Sequence, residues 1–589
     1  MRARYAAVVA GCLATVLSAC GGGLSTSAPI QPGLDVGSVQ ENEVRVEANP
    51  IAPGSSPEQV VTGFLRAAAA SDDQYQVARS YLTSGPGASW RPDTSVVVFS
   101  NDSELQVKQT GAGTVTATAT ATARVDGNGR YQELPANSTD EVTFGLARSA
   151  GEWRITALPD QFGTWLSESD FDRLYDPYRI YFLSTTQRRL VPDVRWFPLG
   201  TGLATRLARS LIAGVPDYLR GAVVSDVPSG TRLAVDSVTI DSGTATVDLT
   251  ATRLATDPAQ RQNLAAQFLA TVGQAPGVGQ VALQLEGADL QVPGAEGALR
   301  SLAALGFGTA SDPVVKPLLR IGSRLVPVDP DEVGDPGERP SPPSTAVLPS
   351  LQVGWTYPAL SADGKEVAAV GGDRSQLARW RGKTQVQLLT FGSLLTRPTY
   401  DLHGLLWVAG RDKGATRIWA IDTRGDPAAT AKASPQAVSV PWLADRRVVS
   451  LRLSPDGQRV AVVSTDAGGN APRLDVAGVV RGTNDVPLSL APPLSLAPTL
   501  TLVRDVVWAD DATLVALGRK NSGQVIRPWT VPLGGQVAAG PEIAGARTIT
   551  TINGERGLVV TTDTGRVLIR AGSRWQPIGE GSDLLVAAR

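Results

Sequence analysis

The residues best suited to catalysis or metal binding are scarce in this chain of 589 residues. It contains two cysteines, Cys12 and Cys20, and one histidine, His403. These are too few for a disulfide framework, a Cys/His zinc site or a Cys-His nucleophile pair, and they argue against a Ser-His-Asp triad. Most routes to hydrolase chemistry are therefore closed, and the sequence predicts no catalytic residues, metal ligands or cofactor.

Two further motifs fail on their spacing. Gly382-Lys383-Thr384 ends like a phosphate-binding loop, but such a loop needs a glycine at position 377, which is Leu. No lysine has a serine three positions before it, which excludes the Ser-x-x-Lys pattern. A carboxylate pair acting on glycans stays open as an alternative, because Asp and Glu are plentiful and nothing singles out a pair.

Turn residues explain the remaining polar motifs. Asp363-Gly364 and Asp456-Gly457 offer one carboxylate each, whereas Ca²⁺ takes about six to eight oxygen ligands. Both pairs are predicted to be hairpin turns. His403 also precedes a glycine, in the position that Asp363 and Asp456 occupy in their Asp-Gly pairs. It is therefore predicted to be a solvent-facing turn residue.

The composition is that of a globular protein. Hydrophobic residues make up 42% and charged residues 19%, and the formal net charge is -2. The chain can therefore build cores, and it lacks the strong basic excess typical of nucleic-acid binding. No nucleic-acid partner is predicted.

Cys20 follows a segment typical of a signal peptide over residues 1–19. Arg2 and Arg4 precede an apolar run, and Leu17-Ser18-Ala19-Cys20 closes it. That tetrapeptide resembles the lipobox of bacterial lipoproteins, which implies S-diacylglycerol and an N-acyl group on Cys20. Two or more acyl chains give a stable membrane anchor. The alternative is an ordinary secretory signal in which Cys20 is incidental.

A flexible tether is predicted over residues 20–54, followed by an α+β domain over 55–165. Ser56-Pro57-Glu58-Gln59 has the pattern of a capped helix start. Residues 115–125 then alternate Thr and Ala with the period of a strand. A helix packed on an antiparallel sheet is the expected arrangement.

Residues 176–296 are predicted to form a second, α/β domain. A strand over 178–183, a helix ending at Gly214, a hairpin over 238–249 and a helix capped by Asp257 follow one another. This order, with its Thr-Val-Asp-Leu strand, resembles the GerMN domain. That resemblance implies a binding or assembly module.

The last part, residues 312–589, contains repeats typical of a β-propeller. Leu360-Ser-Ala-Asp-Gly-Lys-Glu-Val recurs as Leu453-Ser-Pro-Asp-Gly-Gln-Arg-Val, with looser copies at a spacing of about 40–55 residues. Residues 319–328 also match 569–578, which suggests that both ends of the domain complete one blade. Chance similarity of two short hairpins is the competing explanation of that match. We predict about six blades, with five to seven allowed, and a proline-rich loop over 329–350.

The order of these four parts resembles the actinobacterial lipoprotein LpqB family along essentially the entire chain. The resemblance implies a lipid-anchored protein on the extracytoplasmic face of the cell membrane. It also implies binding to the extracellular domain of the sensor kinase MtrB, with modulation of two-component signalling in envelope homeostasis and division. The alternative, from a different class of function, is a purely structural lipoprotein that binds the cell envelope.

Overall fold

The computed structural model describes residues 48–70, 75–185, 189–251, 257–307, 315–328, 348–425 and 433–587. These residues belong to one compact unit. The predicted signal peptide, the lipidation site Cys20, most of the predicted tether and most of the proline-rich loop lie outside the described residues.

The N-terminal domain is a seven-stranded sheet with helices packed against it. Its sheet has the order β6-β5-β3-β1-β7, and β2 and β4 also pair with β3. The elements are α1 (Pro57–Ala67), α2 (Gln76–Ser80), α3 (Ser84–Ser89), β1 (Ser95–Phe99), β2 (Gln106–Gly111), β3 (Thr114–Asp126), β4 (Tyr131–Glu133), β5 (Thr139–Ser149), β6 (Glu152–Ala157), β7 (Thr164–Ser167) and α4 (Glu168–Leu174).

Local sequence explains the two main elements of this domain. Ser56 caps α1 with a capping box shared with Gln59, which satisfies backbone donors at the helix start. Strand β3 buries every second residue, so its small Ala side chains face the core and its Thr side chains face outward. Phe64 of α1 packs with Trp90 and Phe144 to fill that core.

The second domain places two helices against two sheets. One sheet has the order β10-β8-β9, and the other has the order β11-β13-β14-β15 with β12 paired to β13. The elements are β8 (Tyr175–Ser184), β9 (Leu190–Pro198), α5 (Leu203–Ile212), β10 (Val223–Val224), β11 (Arg232–Leu233), β12 (Thr239–Asp241), β13 (Thr244–Thr250), α6 (Pro258–Val272), β14 (Gln280–Leu285) and β15 (Ala288–Asp289).

Helix α6 makes the second domain an α/β unit. It connects β13 to β14, which run parallel, as a crossover connection requires. Asp257 accepts a hydrogen bond from the Ala259 amide at the helix start. Phe268 of α6 is fully buried in a core that continues into the propeller.

The rest of the described chain forms six sheets arranged as propeller blades. Blade 1 comprises β16 (Leu318–Ile321), β17 (Arg324–Pro327) and the last strand of the chain. Blade 2 comprises β18 (Trp355–Leu360), β19 (Glu366–Gly371), β20 (Gln376–Arg381) and β21 (Thr384–Thr390). Blade 3 comprises β22 (Thr399–Tyr400), β23 (Leu405–Asp412), β24 (Ala415–Asp422) and β25 (Gln436–Val438).

The remaining blades follow in chain order. Blade 4 comprises β26 (Arg447–Leu453), β27 (Arg459–Thr465), β28 (Arg473–Arg481), β29 (Pro487–Leu490) and β30 (Leu494–Leu496). Blade 5 comprises β31 (Leu502–Trp508), β32 (Thr513–Arg519), β33 (Arg527–Pro532) and β34 (Ala538–Ala539). Blade 6 comprises β35 (Ala546–Thr551), β36 (Leu558–Thr562), β37 (Arg566–Ala571) and β38 (Arg574–Glu580), and β39 (Asp583–Leu585) returns to blade 1.

Both ends of the propeller meet in blade 1, where Leu318 of β16 pairs with Leu585 of β39. One strand from each blade contacts the next in sequence, and these six strands form a closed ring: β18, β22, β26, β31, β35 and β39. Each is the innermost strand of its blade, so the ring encloses a central channel. The predicted fold class is confirmed: an α+β domain, an α/β domain and an all-β propeller.

Buried ion pairs lie within and between the propeller blades. Each joins an arginine to a carboxylate that is itself almost inaccessible to solvent. The pairs are Glu366–Arg379, Asp401–Arg481, Asp456–Arg459 and Asp505–Arg452. Asp401–Arg481 joins blades 3 and 4, and Asp505–Arg452 joins blades 4 and 5, whereas the other two pairs lie within one blade each. Because a buried charge needs a partner, the two pairs between blades favour a specific arrangement of neighbouring blades.

Candidate functional site

One mouth of the propeller channel is built by β-bulges in the innermost strands. Four of these strands, β18, β26, β31 and β35, shift register near their beginnings. The bulges leave Tyr357, Val449, Arg504 and Arg547 without a ladder partner, and all four side chains line the same cavity. Because a bulge re-aims the side chain it carries, a repeated backbone irregularity directs these residues toward the channel.

This cavity has a volume of about 140 Å³, and arginine dominates its walls. One carboxylate, Asp505, belongs to the lining. We call the site the arginine mouth and define it by its six arginines, Arg374, Arg397, Arg447, Arg452, Arg504 and Arg547.

Only part of this positive charge is compensated by carboxylates. Asp505 accepts a hydrogen bond of 3.0 Å from Arg452, and Asp583 accepts one of 2.8 Å from Arg397. Arg374 donates instead to the backbone carbonyls of Leu394 and Leu395. Three blades meet at Asp505 of blade 5. Its carboxylate also accepts hydrogen bonds from Ser450 Oγ in blade 4 and from the backbone amide of Ile549 in blade 6.

The crowding of guanidinium groups changes their protonation equilibria. Burial lowers the pKa of Arg374, and the nearby charge of Arg447 lowers it further. Burial also lowers the pKa of Arg452; Asp505 opposes this effect and Arg397 adds to it. The arginine mouth is thus a place where positive charges meet at an energetic cost.

The opposite end of the channel is less charged and wider. A cavity of about 390 Å³ is lined there by the turns after the innermost strands, including Pro455, Asp510 and Gly554. Arg397 and Arg452 line both cavities, so they mark the passage between the two ends. The chain therefore presents two chemically different faces along one channel.

The second domain contacts the face opposite the arginine mouth. Arg459, at the start of β27, donates a hydrogen bond of 3.0 Å to the Pro192 carbonyl in β9. Arg179 forms an ion pair of 3.8 Å with Asp510, and Trp196 donates to the Gly534 carbonyl. Arg459 and Asp510 lie at the turns that follow the innermost strands β26 and β31, whereas the arginine mouth lies at the beginnings of such strands. The arginine mouth therefore faces away from the second domain.

A larger cavity, of about 490 Å³, lies between the N-terminal and second domains. Its two arginines, Arg206 and Arg209, are accompanied by Asp93, Asp126 and Asp236. Arg209 already forms an ion pair with Asp236. Balanced charge distinguishes this cavity from the arginine mouth.

The prediction for His403 is wrong, because the side chain is buried rather than solvent-facing. His403 is only 8% exposed. Gly457 packs so closely against its imidazole that a Cβ added to this glycine would lie 3.2 Å from Nε2 of His403. Burial lowers the pKa of His403, and the charge of Arg481 lowers it further, although Asp401 and Asp485 act in the opposite direction. The turn of the next blade covers the imidazole, which sequence spacing alone did not reveal.

The other sequence motifs occupy the expected turns. Gly364 and Gly457 both have φ of +71°, which suits glycine. Asp363 accepts hydrogen bonds from Ser361 Oγ and the Lys365 amide. Asp456 accepts the equivalent bonds but is buried, which its turn motif does not indicate. The predicted lipidation site, Cys20, lies outside the described residues.

Sequence reasoning missed the arginine mouth entirely. A recognisable signal exists, because Arg447, Arg504 and Arg547 each stand near the start of an innermost strand in consecutive blades. Recurrence of one charged type at one position of a repeat points to a shared surface. Among the described residues, no group of three or more His, Cys, Asp or Glu side chains is arranged to hold a metal ion.

No helix within the described ranges has the length and apolar character needed to cross a membrane.

Comparisons with known families match three regions of the chain. The model "Lipoprotein LpqB, N-terminal domain" matches residues 50–172, and "Lipoprotein LpqB beta-propeller domain" matches 342–584. Between them, residues 179–291 match a family described as "Sporulation and spore germination". The two models named for LpqB together cover more than half of the chain.

Whole-chain relatives carry the same name. Lipoprotein LpqB of Thermobifida fusca is 27% identical, over 90% of each chain. The protein of that name from Cutibacterium acnes is 28% identical over 85% of this chain and 84% of its own. The one from Streptomyces avermitilis is 28% identical over 96% of this chain and 95% of its own.

Among solved structures, TolB from Acinetobacter baumannii matches 46% of this chain and 64% of its own, with 16% identity and a TM-score of 0.32. That similarity is too low to carry an argument. Two of the family models and the whole-chain relatives carry the same family name. The chain therefore belongs to the LpqB lipoprotein family.

Proposed function

We propose that this chain is an accessory lipoprotein, held to the extracytoplasmic face of the cell membrane by lipid on Cys20. In this proposal it binds the extracellular domain of an MtrB-like sensor histidine kinase and modulates two-component signalling in envelope homeostasis and division. The observation that carries it is membership of the LpqB family over three domains packed into one body. Propellers and GerMN-like domains are modules suited to recognition, although a fold alone does not fix a function.

The anchor and the folded body are separated by enough chain to act independently. From Cys20 to Ala48, where the described body begins, there are 28 residues. A chain of that length spans at most about 100 Å when fully extended. The three domains can therefore reach a partner that projects from the same membrane.

Cys20→Ala is expected to release the protein from membranes into the medium. The variant loses the thiol that would carry the diacylglycerol, and with it the apolar area that holds the chain in the bilayer. Fractionation and mass spectrometry of the amino-terminal peptide measure the effect. Cys12→Ala is the matched control, because it removes the other thiol from the predicted signal peptide and should leave the lipid mass intact. Retention of the Cys20→Ala protein in membranes would contradict the anchor.

Binding to the kinase is tested with the full acylated chain in detergent and the purified extracellular domain of the kinase. We expect the two to elute together in a pull-down and to separate when unlabelled kinase domain is added in excess. Repeated failure to recover the kinase domain would count against this partner. Retention on purified cell-wall material without kinase binding would instead favour the structural alternative.

Nothing among the described carboxylates singles out a pair for glycan hydrolysis. Four buried ones, Glu366, Asp401, Asp456 and Asp505, are engaged by arginines within or between the blades. Their role there is to hold the propeller together. The proposed binding function involves no catalytic reaction by these carboxylates.

A further inference from the structure

The arginine mouth concentrates positive charge in a protein whose overall charge is slightly negative. Its six arginines, with the adjacent Arg320, make seven guanidinium groups near the same channel end. Two carboxylates, Asp505 and Asp583, face them. The excess of five positive charges is local, since the formal net charge of the whole chain is -2.

Several of these donors have no partner among the described residues. The Nε atoms of Arg397 and Arg447 are buried and donate no hydrogen bond there. Arg547 makes no ion pair in the described part of the chain, and its guanidinium lies 5.5 Å from the ring of Tyr357. Buried polar groups are normally hydrogen-bonded, so this set is incomplete without an acceptor.

The backbone of the mouth is also held in an unfavourable conformation. Tyr357 has φ of +54°, in the left-handed region that a bulky residue rarely adopts. Its ring centre lies 5.7 and 5.5 Å from the guanidinium carbons of Arg397 and Arg547. Strain of this kind clusters at ligand sites, because the surrounding structure maintains it for binding.

The chemistry of the mouth selects an acceptor with several charged oxygens. Guanidinium groups present planar forks that match phosphate and carboxylate geometry. An excess of five positive charges exceeds what one carboxylate neutralises, whereas a phosphomonoester or pyrophosphate carries two or more negative charges. A cavity of about 140 Å³ accommodates such a group, with the rest of the ligand outside the mouth.

We propose that the arginine mouth is a binding site for the phosphate group of an extracytoplasmic ligand. The site lies at the channel end facing away from the second domain. It is independent of the proposed kinase partner, since neither its residues nor its test involves the kinase. The phosphate could belong to a soluble phosphorylated compound or to an anionic lipid headgroup, and the experiment separates these sources.

The rim of the mouth carries apolar side chains that bear on this choice. Val353 is 98% exposed, and the preceding Gln352 accepts a hydrogen bond from Arg320. Leu394 is 38% exposed, and its carbonyl accepts from Arg374. Apolar side chains beside a basic cavity suit a headgroup at a membrane surface, so vesicles form the second arm of the test.

The experiment measures binding of inorganic pyrophosphate to the full chain by titration calorimetry. We expect Arg447→Gln/Arg547→Gln to weaken that binding at least tenfold, because both variant positions have uncommitted donors. Arg417→Gln/Arg574→Gln is the matched control: both residues are exposed strand positions in other parts of the propeller, and removing them lowers the net charge equally. Failure of the wild-type chain to bind pyrophosphate, or equal losses in both double variants, would overturn the site.

The vesicle arm uses flotation with phosphatidylglycerol or phosphatidylcholine vesicles. To remove the covalent anchor, it uses chains carrying Cys20→Ala with and without the mouth substitutions. Flotation with phosphatidylglycerol that the mouth substitutions abolish assigns the phosphate to a lipid. Pyrophosphate binding without flotation assigns it to a soluble compound. Both results support a phosphate site.

A stability measurement separates a ligand site from a structural one. Removing two mutually repelling charges should leave the thermal midpoint of the ligand-free double variant unchanged or higher. Pyrophosphate should then raise the midpoint of the wild-type chain more than that of the variant. A lower midpoint in the ligand-free variant, with equal shifts on adding pyrophosphate, would mean that these arginines serve the fold and would refute the proposal.

Discussion

Arg459→Met is expected to lower the free energy of unfolding by about 3–5 kcal/mol, the range for removing one partner from a buried ion pair. The guanidinium of Arg459 is fully buried and donates to the carboxylate of Asp456. It also donates to two backbone carbonyls, those of Pro192 in the second domain and Asp511 in the next blade. Met retains much of the apolar stem but leaves all three acceptors without this donor.

The surroundings of Arg459 are adapted to a cation. Burial acts to lower its pKa, but the charge and hydrogen bond of Asp456 oppose burial, and the pKa of Arg459 is raised. The indole of Trp508 lies 5.2 Å from its guanidinium carbon, a distance suited to a cation-π contact. A neutral replacement loses each of these interactions at once.

Arg220→Met is the matched control for this prediction. Arg220 and Asp217 have the same i, i+3 spacing as Arg459 and Asp456, but their side chains are 71% and 65% exposed. An exposed pair of this kind is worth at most about 1 kcal/mol. Denaturation in urea measures both variants, and hydrogen exchange should show faster opening of β9 only in Arg459→Met. Similar losses of unfolding free energy in the two variants would show that the buried ion pair contributes no more to stability than the exposed one.

Local patterns were sufficient to predict much of the fold. The capping residues Ser56 and Asp257 predicted where two helices begin, and the structure places α1 and α6 there. The alternation over 115–125 predicted a strand with one buried face, which is β3. These features depend on neighbours along the chain, so the sequence carries them directly.

Residues whose environment is made by distant segments could not be predicted in this way. Asp456 and His403 were both predicted to be turn residues, and His403 a solvent-facing one, yet each is covered by another part of the chain. The second domain packs over the turn that contains Asp456, and the turn of blade 4 packs over His403. A turn motif specifies backbone conformation but says nothing about what later covers it.

The arginine mouth illustrates the same limit for a site. Its residues come from separate blades and converge only when the ring closes. The bulges that direct Arg504 and Arg547 inward are register shifts between strands, which no single strand reveals. Repetition of Arg at the start of consecutive innermost strands was the available signal.

Glu366→Gln is expected to cost about 3–5 kcal/mol of unfolding free energy, for a reason similar to that for Arg459. This one carboxylate, 3% exposed, accepts hydrogen bonds from Arg379, Arg381 and the hydroxyl of Tyr400. Burial of Tyr400, together with the negative charge of Glu366, holds the pKa of Tyr400 well above the usual range. Gln has nearly the same shape but no charge, so it leaves a buried guanidinium without a counter-ion.

The control for Glu366→Gln is Glu555→Gln in blade 6. Glu555 lies 4.0 Å from Arg570, and the two side chains are 40% and 28% exposed. Loss of that pair should change stability by at most about 1 kcal/mol. Guanidinium chloride denaturation of both variants gives the comparison, and equal effects would contradict the role of burial.

A double substitution tests whether the cost comes from the orphaned charge or from lost packing. Glu366→Leu alone should be strongly destabilising, because Arg379 is 1% exposed in the wild-type chain. Glu366→Leu/Arg379→Met removes both buried charges, and such replacements are often neutral relative to the intact pair. Arg381 retains the carbonyls of Thr423 and Gly425 as acceptors in either variant. Most of the stability lost in Glu366→Leu should therefore return in the double variant; if it does not, the unpaired charge of Arg379 is not the source of the loss.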